Sequence, residues 1–447
     1  MTSTAAPLIV RGHTIALRHD PFAGDPAGAL VTDSDGAVLI EGGRIVEVGH
    51  GADLVARHPG VNVAAYPGHF ILPGFVDAHV HYPQIGVIAS YGRQLIEWLS
   101  TYTFPAELAF EDPAHAAAMA ELYLDECLRN GITAASVYCT VHPQSAEALF
   151  AAAERRGMAM AAGKVLMDRN APPGLCDTPK RAYDESAALI ARWHGKGRAR
   201  YVVSPRFAIT STPEQLEAAG ALWRAHPTTL MQTHIDENAA EIAWVRDLYP
   251  AEPDYLGVYE RFGLVGPGAN FGHAIHLTPR ERRRFIETGS GISHCPTSNL
   301  FLGSGLCDVH GLSGVGVPIG LGTDVGGGTS FSMFATMRAA YEIAQLRGRS
   351  LHPAEALWLA TQGGAKVLGM ADRIGGLASG HDADLVILDP ASTQLLANRM
   401  SRVRDVGEAL FAQMVLADDR AIRAVYVAGR LAYERRAGES GAAQGET

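Results

Sequence analysis

The chain has 447 residues, a length typical of about three average domains or of one large domain with an appendage. Hydrophobic residues make up 47% and charged residues 19% of it, which excludes a fully disordered chain, a collagen-like repeat and a coiled coil. The 37 Lys and Arg against 47 Asp and Glu give a formal charge of −10, which argues against nucleic acid as a partner because its backbone favours basic surfaces.

The cysteines and the apolar runs predict a cellular compartment. The five cysteines are scattered and contain no C-x-x-C pair, which favours a reducing cytosol over a disulfide framework. Residues 1–13 have no basic segment before their short apolar run, so we expect no signal peptide. No apolar stretch approaches the roughly 18 residues that cross a bilayer. We therefore expect a cytoplasmic protein without a membrane partner.

The two ends of the chain share a pattern of short strands and turns. Residues 1–70 contain apolar runs separated by Gly-rich turns, and residues 376–435 contain the β-branched runs Asp384–Leu388 and Ala424–Val427. We predict that both ends build a single small β domain. Residues 436–447 are small and polar, and we predict that they form a disordered tail.

Residues 71–375 alternate strand-like runs with segments that carry helix start signals. Asp112, Thr212 and Thr278 each precede a proline, and the two threonines begin capping-box patterns. Eight strand candidates lie between such helices: Ile71–Val80, Ile132–Cys139, Gly163–Met167, Tyr201–Phe207, Thr229–Ile235, Ala269–Ile275, Gly291–Cys295 and Pro318–Gly322. This alternation predicts an α/β fold, a (β/α)8 TIM barrel, with an interior that we expect to consist of Val, Ile, Leu and Ala.

Polar side chains stand at the C-terminal ends of several predicted strands, the face that carries active sites in such barrels. His79 and His81 are two residues apart in an extended strand, so their side chains point to the same face. His234 and Asp324 end two later strands. Three imidazoles and one carboxylate suit Zn²⁺ with an open position for water, and Fe²⁺ fits nearly as well.

Two further residues at this face have chemistry that suits hydrolysis. Glu237 lies just past a strand end, where a carboxylate beside the metal can transfer protons. His273 ends another strand and is expected to hold the attacking water or act as an electrophile. The sequence leaves open a solvated loop position for Glu237 and a core position for His273. We expect His276 and the pair His294-Cys295 to be structural, since a buried Cys packs as a small hydrophobe.

These residues carry a resemblance to a known family. The segment Pro73–His81, followed by His234, His273 and Asp324, resembles the amidohydrolase superfamily of metal-dependent barrel hydrolases. Within it, the chain resembles the guanine deaminase family over about residues 70–390, through the segments His81–Gln84, Glu97–Leu99, Thr101–Glu107, Ser204–Phe207, His234–Glu237 and Gly322–Gly328. Thr101–Glu107 is the most specific of these segments.

The resemblance implies hydrolysis of guanine to xanthine and ammonia in purine catabolism, by a hydroxide that one zinc ion activates. It implies metal ligands at His79, His81, His234 and Asp324, and catalytic roles for Glu237, His273 and Asp324. The implied substrate-binding set is His81, Gln84, Trp98, Phe104, Arg206, Phe207, His234, Glu237 and Asp324. Arg206 would face a carbonyl oxygen and Gln84 a base edge, with Trp98–Phe104 as an aromatic wall. It also implies a homodimer and a small β-sandwich formed by both termini.

Three alternatives to this function remain, and a fourth is excluded. One is a related aminohydrolase acting on another purine, a pyrimidine or a triazine. A second is a binuclear amidase, which needs a carbamylated Lys in the fourth strand, and Tyr201–Phe207 contains none. A third is an inactive descendant of such an enzyme, which the complete ligand set disfavours. The fourth, a cytidine-deaminase-type zinc enzyme, is excluded because the chain lacks both H-x-E and C-x-x-C.

Overall fold

The computed structural model describes residues 6–91 and 95–435. The strands in these ranges are β1 (Leu8–Leu17), β2 (Leu30–Glu41), β3 (Arg44–His50), β4 (Asn62–Pro73), β5 (Phe75–His81), β6 (Ile132–Tyr138), β7 (Ala159–Gly163), β8 (Val165–Leu166), β9 (Arg200–Pro205), β10 (Leu230–Ile235), β11 (Ala269–His273), β12 (Gly291–His294), β13 (Ile319–Leu321), β14 (Leu385–Leu388), β15 (Ile422–Val427) and β16 (Arg430–Glu434). The predicted disorder of residues 436–447 concerns a segment outside the described residues.

The α-helices are α1 (Pro26–Ala29), α2 (Gly51–Arg57), α3 (Leu95–Trp98), α4 (Phe104–Leu108), α5 (Pro113–Arg129), α6 (Pro143–Arg156), α7 (Pro179–Trp193), α8 (Pro213–Ala225), α9 (Ala239–Leu248), α10 (Tyr255–Arg261), α11 (Pro279–Thr288), α12 (Pro296–Phe301), α13 (Val309–Ser313), α14 (Met333–Leu346), α15 (Pro353–Trp358), α16 (Gly364–Val367), α17 (Gln394–Met400) and α18 (Val406–Leu416). None of the helices in the described ranges combines the length and the apolar character that a bilayer crossing requires.

Both ends of the chain contribute to one seven-stranded sheet, as predicted. Its strand order is β16-β15-β14-β4-β1-β2-β3, so β14 from the C-terminal part lies against β4 from the N-terminal part. The β1–β2 pair is antiparallel and the β1–β4 pair is parallel. Branched aliphatic residues such as Val10, Val38 and Ile71 are fully buried beneath the sheet, and their burial holds the two ends of the chain together.

The middle of the chain forms the predicted barrel. Parallel pairing runs in the order β13-β12-β11-β10-β9-β7-β6-β5, with β8 pairing only with β9. The two ends of this path meet where the amide N of Asp324 donates to the carbonyl O of His79 at 2.9 Å and the N of His81 donates to the O of Val325 at 2.8 Å. The strand ends that carry predicted site residues therefore close the barrel, and the (β/α)8 prediction is confirmed.

Two predicted strands differ from the structure. The apolar run Ile71–Val80 is divided between β4 of the terminal sheet and β5 of the barrel. Gly74 separates them, and a Cβ at this position would lie 2.2 Å from Thr133 Oγ1, so only glycine fits the crossing. The third barrel strand begins at Ala159 rather than Gly163. Its small side chains give a weak strand signal, although all five residues are buried.

The prediction of an apolar barrel interior is wrong in part. Ser293 Oγ and Asn270 Nδ2 both donate to the carbonyl O of Ala78, at 2.8 and 2.9 Å. On the other side of the barrel, Gln232 accepts from Ser136 Oγ at 2.7 Å and donates to Ser204 Oγ at 3.0 Å. Because every partner is satisfied, this buried polar layer is tolerated, and it fixes the backbone of β5 next to His79.

The predicted helix starts are present with one difference. Asp112 accepts from the N of Ala114 at 2.9 Å at the start of α5, and Thr278 forms the full reciprocal capping box of α11. At α8, Thr212 accepts from the N of Gln215 at 3.2 Å, but the Gln215 amide has no hydrogen-bond partner among the described residues. Only half of that predicted box forms.

Candidate active site

Three buried histidines converge at the C-terminal end of the barrel. His79 and His81 both stand on β5, and His234 stands on β10. One ring nitrogen of each lies within 4.8 Å of the others, and His81 Nε2 is 3.1 Å from His234 Nε2. Two nitrogens held at about 2.0–2.1 Å by one tetrahedral ion would be roughly 3.3 Å apart. The three rings therefore have the spacing of ligands to one metal ion.

Asp324 lies between these rings. Its Oδ1 is 3.4 Å from His79 Nε2 and 3.6 Å from His81 Nε2. It follows β13 in a left-handed conformation with φ of +51°, and His273 also has a positive φ of +70°. Non-glycine residues in this region are uncommon and concentrate at functional sites. The structure thus brings all four predicted metal ligands into one cluster.

Burial and hydrogen bonding prepare these histidines to bind a cation. His234 Nδ1 is 2.7 Å from the carbonyl O of Arg206, so it donates its proton there and leaves Nε2 free as a ligand. Both ring nitrogens of His79 and the Nδ1 of His81 are buried without a hydrogen-bond partner in the described ranges. Burial lowers the pKa of all three imidazoles, which favours the neutral form that coordinates metals.

Cys295 lies closer to the cluster than the sequence suggested. Its Sγ lies within 4.8 Å of ligand atoms of His79, His273 and Asp324. Burial raises the pKa of its thiol well above the usual range, which disfavours the thiolate that binds metals. Its partner in the predicted structural pair, His294, is buried with a pKa lowered by burial to about 3.

Asp77 connects the two segments that carry the ligands. Its Oδ1 accepts from the N of His79 at 3.2 Å and from the N of Thr323 at 2.9 Å, and its Oδ2 accepts from Thr323 Oγ1. One carboxylate therefore holds β5 against the residue that precedes Asp324. Contacts of this kind orient metal ligands.

Glu237 and His273 form a second pair beside Asp324. His273 Nε2 is 3.4 Å from Glu237 Oε2 and 3.8 Å from Asp324 Oδ2. Its Nδ1 is 2.9 Å from Asn299 Oδ1 and donates to it, and Ser304 Oγ donates to Glu237 Oε1 at 3.1 Å. Neither residue was assigned a role from the sequence, because Asn299 on α12 and Ser304 just after that helix match no motif.

The electrostatics of this pair suit proton transfer. Burial raises the pKa of Glu237 above its usual range. Burial lowers the pKa of His273, but the carboxylates of Glu237 and Asp324 more than offset it, and the net shift is upward. A buried carboxyl beside a buried imidazole, each with a raised pKa, is suited to acid–base work.

A cavity opens in front of the cluster. It is lined by His81, Gln84, Trp98, Leu99, Arg206, Phe207, His234, Glu237, His273, Leu302, Asp324 and Gly327. Of the substrate-binding residues that the sequence predicted, Phe104 is not in this lining. Its ring lies 5.9 Å from the guanidinium carbon of Arg206 and packs behind that residue instead.

Arg206 is paired, which the sequence did not predict. Its Nη1 donates to both oxygens of Glu107, at 2.8 and 2.9 Å, and Gln84 Nε2 donates to Glu107 Oε1 at 3.0 Å. All three side chains are buried. The signal that could have identified Glu107 is its place in the most specific segment, Thr101–Glu107.

Comparisons with known proteins agree with this geometry. The model of the Amidohydrolase family matches residues 70–432. The guanine deaminase of Escherichia coli K12 is 46% identical over 410 residues, which cover 92% of this chain and 93% of that protein. A solved structure of E. coli guanine deaminase covers 96% of this chain and 100% of its own, with 45% identity and a TM-score of 0.94.

A further solved structure is described with a bound ligand. The crystal structure of guanine deaminase from C. acetobutylicum, described with bound guanine in the active site, covers 95% of this chain and 99% of its own. Its sequence identity is 27% and its TM-score is 0.87. The similarity to these guanine deaminases therefore extends over both the barrel and the terminal sheet of this chain.

Proposed function

The chain belongs to the amidohydrolase family, and from that premise we infer that it is a hydrolase that converts guanine to xanthine and ammonia. The observation that carries this function is 46% identity to a guanine deaminase over nearly the whole chain. One cavity is lined by His81 and His234 of the histidine cluster, by the Glu237–His273 pair and by a side wall of Gln84, Arg206 and Phe207. One set of residues in this site therefore suits the chemical step, and a separate set suits binding of the ring substrate.

A metal ion fits the cluster, and its ligands would be His79, His81, His234 and Asp324. The fit rests on buried ring nitrogens that have no hydrogen-bond partner among the described residues and on neutral imidazoles beside one carboxylate. Three nitrogen donors and one oxygen donor suit zinc, which we propose as the resident ion, and Fe²⁺ fits nearly as well. When bound, zinc supplies a Lewis acid that makes water a nucleophile at neutral pH.

Around that centre, the side chains move protons and hold charge. Asp324 accepts a proton from the attacking water. Glu237, beside His273, gives a proton to the ring nitrogen next to the attacked carbon, regains the proton that Asp324 took from the water, and passes it to the departing amine. The hydroxyl proton released as the carbonyl forms restores Glu237. The Nε2 of His273 faces both carboxylates and stabilises charge that develops on the attacked carbon's substituents.

Polar groups on the side wall recognise the substrate by hydrogen bonding. Arg206 presents fixed donors that suit the carbonyl oxygen of guanine, and Gln84 presents both a donor and an acceptor. Phe207 and Trp98 line the cavity next to them and supply aromatic surface. A site with such partners discriminates against adenine, because a ring that lacks the carbonyl leaves them without hydrogen bonds.

We expect Arg206→Ala to lower kcat/KM for guanine by at least about 100-fold, since a charged donor to the ring is lost. The metal content should not change, because Arg206 is not a ligand. Steady-state kinetics with metal analysis of the same preparation checks both expectations. Arg224→Ala is the matched control, because that exposed arginine pairs with Glu217 on α8, away from the cavity. Loss of metal from Arg206→Ala would contradict this arrangement of the cavity.

We expect Asp77→Asn to weaken metal binding by about 10- to 100-fold, the usual effect of changing a residue that orients the ligands. The amide has one acceptor oxygen where the carboxylate has two, so one of the three hydrogen bonds that Asp77 accepts from His79 and Thr323 must be broken or reversed. Titration against a competing chelator measures the affinity. Asp112→Asn, which changes an exposed helix cap, is the control. An unaltered affinity in Asp77→Asn would refute the orienting role.

The function is tested directly by incubating purified protein with guanine, with and without a chelator, while xanthine is measured. We expect xanthine to form and the chelator to abolish it. A panel of other aminopurines, aminopyrimidines and triazines, read by ammonia release, tests the alternative substrates. Elemental analysis should give one zinc per chain. Two metals would favour the binuclear alternative, and absence of activity on guanine with turnover of another ring would overturn the assignment.

Other parts of the proposal concern organisation. We propose that residues 1–70 and 376–435 form the terminal β domain and residues 71–375 the catalytic barrel, with β4 of the terminal sheet running on to Pro73. We also propose a homodimer in the cytoplasm, with guanine as its small-molecule partner and without a membrane partner. The acidic net charge disfavours nucleic acid as a partner. Light scattering of the purified protein measures the oligomeric state.

A further inference from the structure

We propose that Glu107 is a positioning residue that holds Arg206 and Gln84 in the orientation that recognises a neutral purine. This inference rests on the proposed function. Glu107 is fully buried on α4, and it is not among the residues that line the cavity. Any effect on the substrate must therefore act through its two partners.

The carboxylate of Glu107 joins three segments that are far apart in the sequence. Its partners are Gln84, just after β5, and Arg206, just after β9. Glu107 itself lies on α4, which follows Trp98 at the end of α3. Phe104, one helical turn before Glu107, packs against the same guanidinium. Glu107 therefore connects the segment that carries the aromatic residues Trp98 and Phe104 to the polar residues Gln84 and Arg206.

These hydrogen bonds determine which atoms of Gln84 and Arg206 remain available to bind a ligand. Because Gln84 Nε2 donates to Glu107 and its Oε1 accepts from the N of Gly326 at 3.4 Å, the amide has one defined orientation. The hydrogen bonds of the Arg206 side chain to described residues all use Nη1. Its Nε and Nη2 are consequently left to donate to a ring in the cavity.

Glu107 also sets the charge of this wall. The Arg206 guanidinium and the Glu107 carboxylate cancel each other in a buried setting, so the wall matches an uncharged base. Without the carboxylate, a buried cation would stand uncompensated beside the substrate. Such a wall would bind an uncharged purine less well and an anionic purine better.

The test compares Glu107→Gln with the wild type on two ligands of opposite character. We expect the KM for guanine to rise about 10- to 100-fold, as for loss of a charged hydrogen bond in a buried site, with kcat within about threefold and metal content unaltered. The inhibition constant of urate, a purine anion at neutral pH, should fall. A merely structural role would weaken both ligands together or lower kcat.

Two further variants keep the inference open to refutation. Glu107→Asp retains the charge but draws the carboxylate back, so we expect a raised KM for guanine with little change for urate, even if Glu107→Gln fails to fold. Glu355→Gln is the control, because Glu355 is a buried carboxylate that accepts from the N of His352 at 2.7 Å outside the cavity. It should behave as the wild type.

The outcomes separate this inference from the proposed function. A wild-type protein that forms no xanthine would overturn the proposed function. An active wild type with an unaltered KM in both Glu107 variants would overturn only the role of Glu107. Parallel weakening of guanine and urate in both variants would likewise overturn it, and would leave the guanine activity standing.

Discussion

Glu237→Gln is expected to lower kcat for guanine by at least about 100-fold while the protein keeps its metal, since general acid–base groups contribute about 10²- to 10⁴-fold. The amide preserves the shape of Glu237 and can still meet Ser304, which donates to Oε1 at 3.1 Å. It cannot take up and release a proton. KM should change little, because the change affects the transition state more than the bound ring.

The pH dependence gives a second test of the same role. Glu237 must hold a proton before it can give one to the ring nitrogen, and burial raises its pKa, so activity is lost as the pH rises through a value above the ordinary pKa of a glutamate. This basic limb of the kcat/KM profile should disappear in Glu237→Gln. Glu217→Gln, at an exposed position on α8, should keep both the rate and the limb. Turnover like the wild type in Glu237→Gln would remove Glu237 from the mechanism.

The fold and most of the cluster were predictable because they follow from regularities of the backbone. A parallel barrel exposes the C-terminal ends of its strands on one face, and an extended strand directs residues two apart to one side. These two facts suffice to place His79, His81, His234 and Asp324 together. The structure adds the distances between these residues, but the order of apolar runs and helix caps in the sequence already indicated which strands carry them.

Other features depend on contacts that have no local pattern. The apolar run from Ile71 is continuous, so nothing in its hydrophobicity marks the change of sheet at Gly74, where a Cβ would meet the side chain of Thr133. The polar layer inside the barrel appears only when Ser293 and Asn270 meet the carbonyl of Ala78. Such pairings are long-range, and composition does not encode them.

The partner of Arg206 is the most consequential of these contacts. From the sequence, Arg206 is a cation available to a carbonyl oxygen. In the structure, the carboxylate of Glu107 neutralises it, although the two residues lie 99 positions apart. The positive charge near the substrate is therefore balanced, and the recognition of guanine rests on directed hydrogen bonds rather than on a net charge.

His79→Ala should abolish metal binding and lower activity by at least about 10³-fold, because metal catalysis supplies several kcal/mol of transition-state stabilisation. A ring nitrogen of His79 lies within 4.8 Å of ligand atoms of His81 and His234, and one lies within 4.8 Å of ligand atoms of His273 and Asp324. His79 is fully buried, and neither of its ring nitrogens is hydrogen-bonded to a described residue. Metal analysis after dialysis and xanthine formation measure the two effects. His226→Ala is the matched control, because His226 lies at the C-terminal end of α8, on the face of the barrel opposite the site.

Thermal unfolding distinguishes loss of metal from loss of packing in this variant. A ligand that binds only the folded state stabilises it by RT ln(1 + [L]/Kd), about 4 kcal/mol at a thousandfold excess over Kd. Chelation should therefore lower the Tm of the wild type and of His226→Ala by several degrees. The Tm of His79→Ala should not respond to the chelator, because its ion is already absent. A metal-loaded His79→Ala, or a wild type whose Tm ignores chelation, would show that these histidines are packed for another reason.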